Sequence, residues 1–344
     1  MSHASSTIMS ERPQLSLLDR AATLSSWVLA AALFLTVGWF AMEPDDPLGP
    51  VSMLGRHGAP MMLIQAAALA GVVGGLATMI AGRRLADAGT FAAALGLAVV
   101  SLRGGTAECL LVQGADVSTS FERGLALKFA LEAVGWLVVM CVALVVSVLV
   151  MRWCFKESDD PGPAPADAAP SRSRLSITPA GCDIPRFSSR WFGVPLDRQT
   201  PPADGVKHTI IATGVGLAAI TLLSAGLSSR SIQHGQVCFV VAAAVGLGTY
   251  FAHRMAPVRS ALWSILAVVL IALMGYVWAA VRPAVAGLPP SIPSSHFMRV
   301  LPIQYISIGT AAALAMFWYV YVPVFDKGSG DGNADRRPIP EGRR

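Results

Sequence analysis

The chain has 344 residues, of which 54 % are hydrophobic and 14 % charged, with a formal net charge of +5 and a mean hydropathy of +0.57. This balance excludes an ordinary soluble domain. The apolar residues also run on instead of alternating with polar ones, which excludes barrel strands and leaves transmembrane helices, because only these two structures satisfy the backbone in lipid.

The pattern predicts an all-α integral membrane protein of eight spans. A cytoplasmic segment, 1–21, leads into the first span, Ala22–Ala41. That run is too long for the apolar core of a cleavable signal, and "GWFAMEPDD" at its end offers no small-x-small cleavage site. Pro60–Ala81, Ala86–Leu102 and Lys128–Met151 complete a first membrane unit, 22–151; the third span is the weakest, being short and rich in Gly and Ala. Residues 152–207 read as a cytoplasmic linker, and its part "ESDDPGPAPADAAPSRSR" holds too little apolar surface to fold alone. Near 184–198, Phe187, Trp191 and Phe192 interleave with Arg186 and Arg190. Aromatic rings among cations suit the headgroup zone of an inner leaflet, or a protein partner. His208–Leu227, Gln236–Ala252, Ser260–Val281 and Tyr305–Phe325 form a second unit, 208–325, and 326–344 reads as a disordered cytoplasmic tail.

Arg83 and Arg84 lie in one short loop and Arg254 and Arg259 in another. Short loops weigh most in the positive-inside rule, so both termini are expected inside. The positive charge then reflects membrane orientation, and no nucleic-acid partner is expected. The excess of Arg over Lys and the Ala/Gly richness point to a bacterial plasma membrane as the location.

The two units share their loop lengths. One constant offset carries His57 onto His234, Gly58 onto Gly235, Ala66 onto Ala243, Ala67 onto Ala244 and Gly71 onto Gly248, and it also carries Lys128 onto Tyr305. This predicts a 4+4 parallel repeat, each half keeping the same orientation. Small-residue stretches such as "AGVVGGLA" and "AAAVGLG" predict close helix packing. The outer loops 104–127 and 283–304 are expected to fold over the spans as partial lids.

Ionisable groups inside a span are costly and mark candidate sites. Lys128 and Glu132 stand one turn apart at the outer edge of span four. They either anchor the helix as an i,i+4 pair, with Lys128 reaching outward, or line an outward-facing cavity together with Gln65. On the outer face, His57, His234 and His296 are candidate ligands for a metal or sensors of pH. Arg103 and Arg282, at the outer ends of equivalent spans, suit an anionic group or a helix cap. No H-x-x-x-H or H-E-x-x-H spacing is present, and no His pair lies deep in the spans. Five Cys (109, 141, 154, 182, 238) show no C-x-x-C spacing, and only Cys109 and Cys238 approach the outer face.

Three function classes remain. The first is a non-catalytic membrane component or scaffold, favoured because few polar groups lie within the spans. The second is a small-solute or ion transporter with its site between the repeats near the outer face. The third is a membrane enzyme or metal-binding protein using the outer histidines. No cofactor is indicated, and the expected partners are the bilayer and other membrane proteins, further copies of this chain included.

Overall fold

A computed structural model describes residues 17–46, 49–54, 58–81, 87–113, 119–154, 201–225, 233–258, 260–282 and 295–331. These residues are helical with short connections and contain no strand. In chain order they form α1 (Leu17–Leu33), a π-helical segment (Phe34–Gly38), α2 (Trp39–Met42), α3 (Ala59–Ala81), α4 (Ala88–Arg103), α5 (Ala107–Gln113), α6 (Thr119–Cys154), α7 (Pro202–Ala225), α8 (His234–Met255), α9 (Leu262–Val281), a 3-10 turn (His296–Arg299) and α10 (Pro302–Asp331). The predicted surface segment with Arg186, Phe187, Arg190, Trp191 and Phe192 lies outside the described residues, as does His57.

Among the described residues, seven helices are long and apolar enough to cross a membrane, and the chain is a multi-pass membrane protein. The third predicted span, Ala86–Leu102, is the exception, because α4 has only 16 residues. At 1.5 Å per residue it is ~24 Å long, short of the ~30 Å of hydrocarbon in a bilayer. Its environment explains how a short, Ala-rich helix is accommodated. Ala88, Gly89, Thr90, Ala92, Ala93, Ala94, Gly96, Leu97, Ala98, Val100 and Ser101 are buried, because α4 is enclosed by α1, α3, α6 and α10. The longer helices instead expose Val28, Ile64, Leu131, Ile210, Leu222 and Phe239, the apolar surface that lipid covers.

Several helix boundaries differ from the sequence reading. Helix α6 starts at Thr119, a full two turns before Lys128. Helix α7 starts at Pro202, inside the predicted linker, and α10 runs on to Asp331.

Small residues set how closely the helices meet. Helix α3 lays Gly71, Gly74 and Gly75 on the Val142, Ala143 and Val146 stripe of α6, and a Cβ on Gly74 would stand 3.0 Å from the Ala143 carbonyl. Across α7 and α8, a Cβ on Gly248 would stand 2.5 Å from the Ala212 carbonyl. Phe34, in the π-helical segment, is fully buried with its ring against Gly96 of α4. Lipid tails are as apolar as side chains, so such close packing supplies most of the association between helices.

The chain through α6 and the chain from α7 onward each pack internally, α3 on α6 and α7 on α8 most extensively. They join where α4 meets α10, α6 meets α9 and α6 meets α10. One continuous apolar core crosses this seam and includes Phe129, Trp136, Tyr276 and Tyr305.

Substituting Gly248 with Ala should lower the melting temperature in detergent, because the contacted atom is backbone and cannot rotate away; overpacking of this kind costs about 1–3 kcal/mol. Gly214 has nothing within 4 Å of its added Cβ, so Gly214→Ala should be neutral or stabilising by up to ~1 kcal/mol through helix propensity. Equal melting temperatures for the two variants would contradict the close approach.

Candidate functional site

Among the described residues, Glu132 is the carboxylate that the fold turns furthest inward. Only 3 % of its surface is exposed, and a buried carboxylate must find donors. Ser52 donates its hydroxyl to Oε2 at 2.6 Å, and Trp136, one turn along α6, donates its indole N–H to Oε1 at 3.0 Å. The Met53 backbone N–H points at the same carboxylate. Ser52 also accepts the Leu54 N–H at 3.1 Å, which fixes its hydroxyl toward Glu132.

The segment 49–54 is therefore drawn into the bundle. Val51 and Ser52 are buried. Met53 lies on α6 at Gly135, where a Cβ would meet its Cε at 2.7 Å. On its other side the segment is held by the Gly105 N–H, which donates to Gly49 O at 2.7 Å. Lys128, in contrast, is exposed and makes no ion pair with Glu132. Residues four apart on a helix differ by ~40° around its axis, enough here to leave Lys128 outside and Glu132 within. Gln65 is also exposed, on the outer side of α3, and does not join Glu132.

The second half of the chain completes the surroundings. Tyr276 of α9 and Tyr305 of α10 are fully buried, with ring centroids 5.5 Å apart and edge to face. Tyr276 also meets Phe129 of α6 at 5.4 Å and lies within electrostatic reach of Glu132. Its hydroxyl donates to Val300 O at 2.7 Å, which pins the loop before α10 to the bundle. The Tyr305 hydroxyl has no hydrogen-bond partner among the described residues.

The other predicted residues serve the same end of the bundle separately. Arg103 donates to Leu35 O at 3.0 Å and stacks on Trp39, 4.2 Å from the ring centroid. Leu35 lies in the π-helical segment, whose widened turn frees a carbonyl for an outside donor. Arg282 stacks on Trp278, one turn back on its own helix, at 5.2 Å. His234 opens α8 and touches the Gly104 carbonyl, so it bridges the two halves. His296, in the 3-10 turn, feels Arg299 and Arg282 and has no partner on Nδ1 among the described residues. Among the described residues no group of three or more His, Cys, Asp and Glu could hold a metal ion, and His234 and His296 are not brought together at one. Cys109 and Cys238 are free thiols.

A second polar cluster lies at the opposite end, where the sequence indicated no deep His pair. His208 of α7 and His253 of α8 are both fully buried, with ring centroids 6.0 Å apart. His208 Nδ1 stands 3.0 Å from Ala256 O and Nε2 stands 2.9 Å from Ser264 Oγ. A carbonyl can only accept, so Nδ1 carries a proton, and in the neutral ring Nε2 accepts from Ser264. Helix α8 extends to Met255, beyond the predicted span end, and this carries His253 into the interior.

Comparison of the chain with protein-family models, with curated proteins and with solved structures finds no match. The residues themselves therefore carry the functional argument.

Burial pushes the His296 imidazole below its ordinary value, and Arg299 and Arg282 act in the same direction. The folded state thus favours the neutral ring. The stability this gives is present above the unfolded value of 6.5 and is lost as pH falls toward the lower folded value. Between about pH 7 and about pH 5 the melting temperature should fall, and His296→Gln should flatten that fall. An unchanged pH slope in the variant would contradict this assignment.

Proposed function

We propose that this protein is a transporter of a small solute or ion, with its site at the seam of two four-helix halves near the outer face and Glu132 at the centre of that site. The observation that carries this reading is the burial of the Glu132 carboxylate beneath segment 49–54, with neutral donors around it. An interfacial anchor would leave the carboxylate beside Lys128. A buried charge without a countercharge is expensive, and inside a membrane it is a functional candidate by default.

The pairing of helices supports two equivalent halves. Under the offset that carries His57 onto His234, α4 corresponds to α9 and α6 to α10. The contact of α4 with α10 is then the counterpart of the contact of α9 with α6, and α6 meets its own counterpart α10. That exchange is what a parallel 4+4 repeat about an axis along the membrane normal requires. In this reading α4 completes eight crossings, both termini lie inside, and the segment over Glu132 faces out. Arg254, at the end of α8, belongs to the short inner loops whose cations support this orientation. The composition supports a bacterial plasma membrane.

A non-catalytic membrane component is the second reading. It is favoured by the bonds of Arg103, Tyr276 and His208, each of which closes on a carbonyl of the protein's own backbone. Such bonds hold loops on a bundle and need no solute. Its further partner would dock on the segment around Arg186, Arg190 and Trp191.

Vesicles containing the purified protein and an internal pH dye, challenged with panels of amines, carboxylates, sugars and inorganic ions, separate the two readings. Transport by the Glu132 site requires a flux above that of protein-free vesicles for one solute class, lost in Glu132→Gln at equal protein content. No flux for any class, together with a stable partner that co-purifies and is lost on changing Arg186, Arg190 and Trp191, would overturn transport in favour of the component.

A further inference from the structure

We infer that the buried Glu132 carboxylate and the aromatic side chains Phe129, Trp136, Tyr276 and Tyr305 form a binding site for a small organic ammonium ion. This deepens the reading of Glu132 as a solute site and rests on it. Three independent features converge on this ligand class.

The first is charge. Glu132 is buried and bonds only neutral groups among the described residues: the Ser52 hydroxyl, the Trp136 indole and the Met53 N–H. Lys128, the nearest cation on its own helix, is exposed. An ionised carboxylate offers about four acceptor positions, of which these donors use three. A monocation supplies the missing charge.

The second is the wall. Phe129 and Trp136 flank Glu132 on α6, three residues before it and four after, which places all three on one helix face. Tyr276 and Tyr305 come from α9 and α10. All four rings are fully buried, and contacts at 5.4 and 5.5 Å join Phe129, Tyr276 and Tyr305 in series. Aromatic faces attract weakly hydrated cations. A hard metal ion instead requires six or more oxygen ligands, whereas most of this wall is carbon. An alkylammonium ion matches both parts, directing an N–H at the carboxylate and its alkyl groups at the rings.

The third is the Tyr305 hydroxyl, buried and with no hydrogen-bond partner among the described residues. It adjoins Tyr276, which lies within electrostatic reach of Glu132. Its oxygen is a free acceptor for a second ammonium N–H. Segment 49–54 lies over the site through the Ser52 and Met53 bonds, which leave the fourth acceptor position of the carboxylate to the cation.

The test uses full-length protein in lipid nanodiscs. Butylammonium, the neutral butanol and sodium are titrated by calorimetry, with Trp fluorescence as a second signal. Butylammonium should bind saturably while butanol and sodium do not. Glu132→Gln should weaken binding by more than about tenfold, and Tyr305→Phe and Phe129→Leu each by a few fold. The last two variants leave every Glu132 hydrogen bond intact, so they remain informative if Glu132→Gln fails to fold. The inference is overturned by absent butylammonium binding to folded protein, by equal binding of butanol or sodium, or by unchanged affinity in Tyr305→Phe and Phe129→Leu. Failure here is distinct from failure of the transport reading. Flux of another solute class lost in Glu132→Gln without ammonium binding removes only this inference, and ammonium binding without flux removes only transport.

Discussion

A carboxylate taken out of water must be given donors, and at Glu132 that requirement organises one whole end of the protein. The Ser52 hydroxyl and Met53 N–H draw the loop after α2 down onto α6. Through Gly49 the same loop accepts the Gly105 N–H, so the connection after α4 is positioned too. Arg103, two residues earlier, reaches Leu35 in the π-helical segment, and His234 meets Gly104 from the second half. Removing the carboxylate would take one anchor from a chain of contacts that spans both halves. An intact hydrogen bond contributes about 1 kcal/mol net, whereas orphaning its buried partner costs about 1–3 kcal/mol, so the donors depend on Glu132 as much as it depends on them.

Elsewhere the fold rests on close packing of small residues. Gly74 on Ala143 and Gly248 on Ala212 bring backbones together where lipid provides no hydrophobic drive. Glu132, Tyr276 and Tyr305 lie near one end of the bundle and His208, His253 and Ser264 near the other, with buried hydroxyls such as Thr213 and Thr310 between them. The short helix α4 fits the same scheme, since enclosure by its neighbours removes the need for a long lipid-facing surface.

The helical membrane architecture is legible in the sequence because apolar runs of bilayer length have a single structural solution. Which face of each helix is buried is not legible. Lipid and protein interior are equally apolar, so no polar stripe marks the outside, and Gln65 and Glu132 look alike although one is exposed and the other buried. Glu132 was readable as a costly intramembrane charge; its partner Ser52, eighty residues away in a loop, left no signal. Trp136 and the tyrosines in "MGYVW" and "IQYIS" did offer one, being polar-tipped rings within apolar spans. The paired His-Gly motifs also diverge locally. Gly58 has φ of 95°, a turn that favours glycine, whereas Gly235 lies inside α8. Likeness of pattern there does not extend to likeness of backbone.

The central claim is that the Glu132 carboxylate holds the segment 49–54 against the bundle. Amide hydrogen exchange of that segment, measured in lipid for the native protein and for Glu132→Ala, tests it most directly. The account requires slow exchange at Met53 and Gly105 in the native protein and exchange faster by at least about tenfold in the variant, with the centres of α3 and α8 unchanged. Equal protection of the segment in both proteins would contradict it.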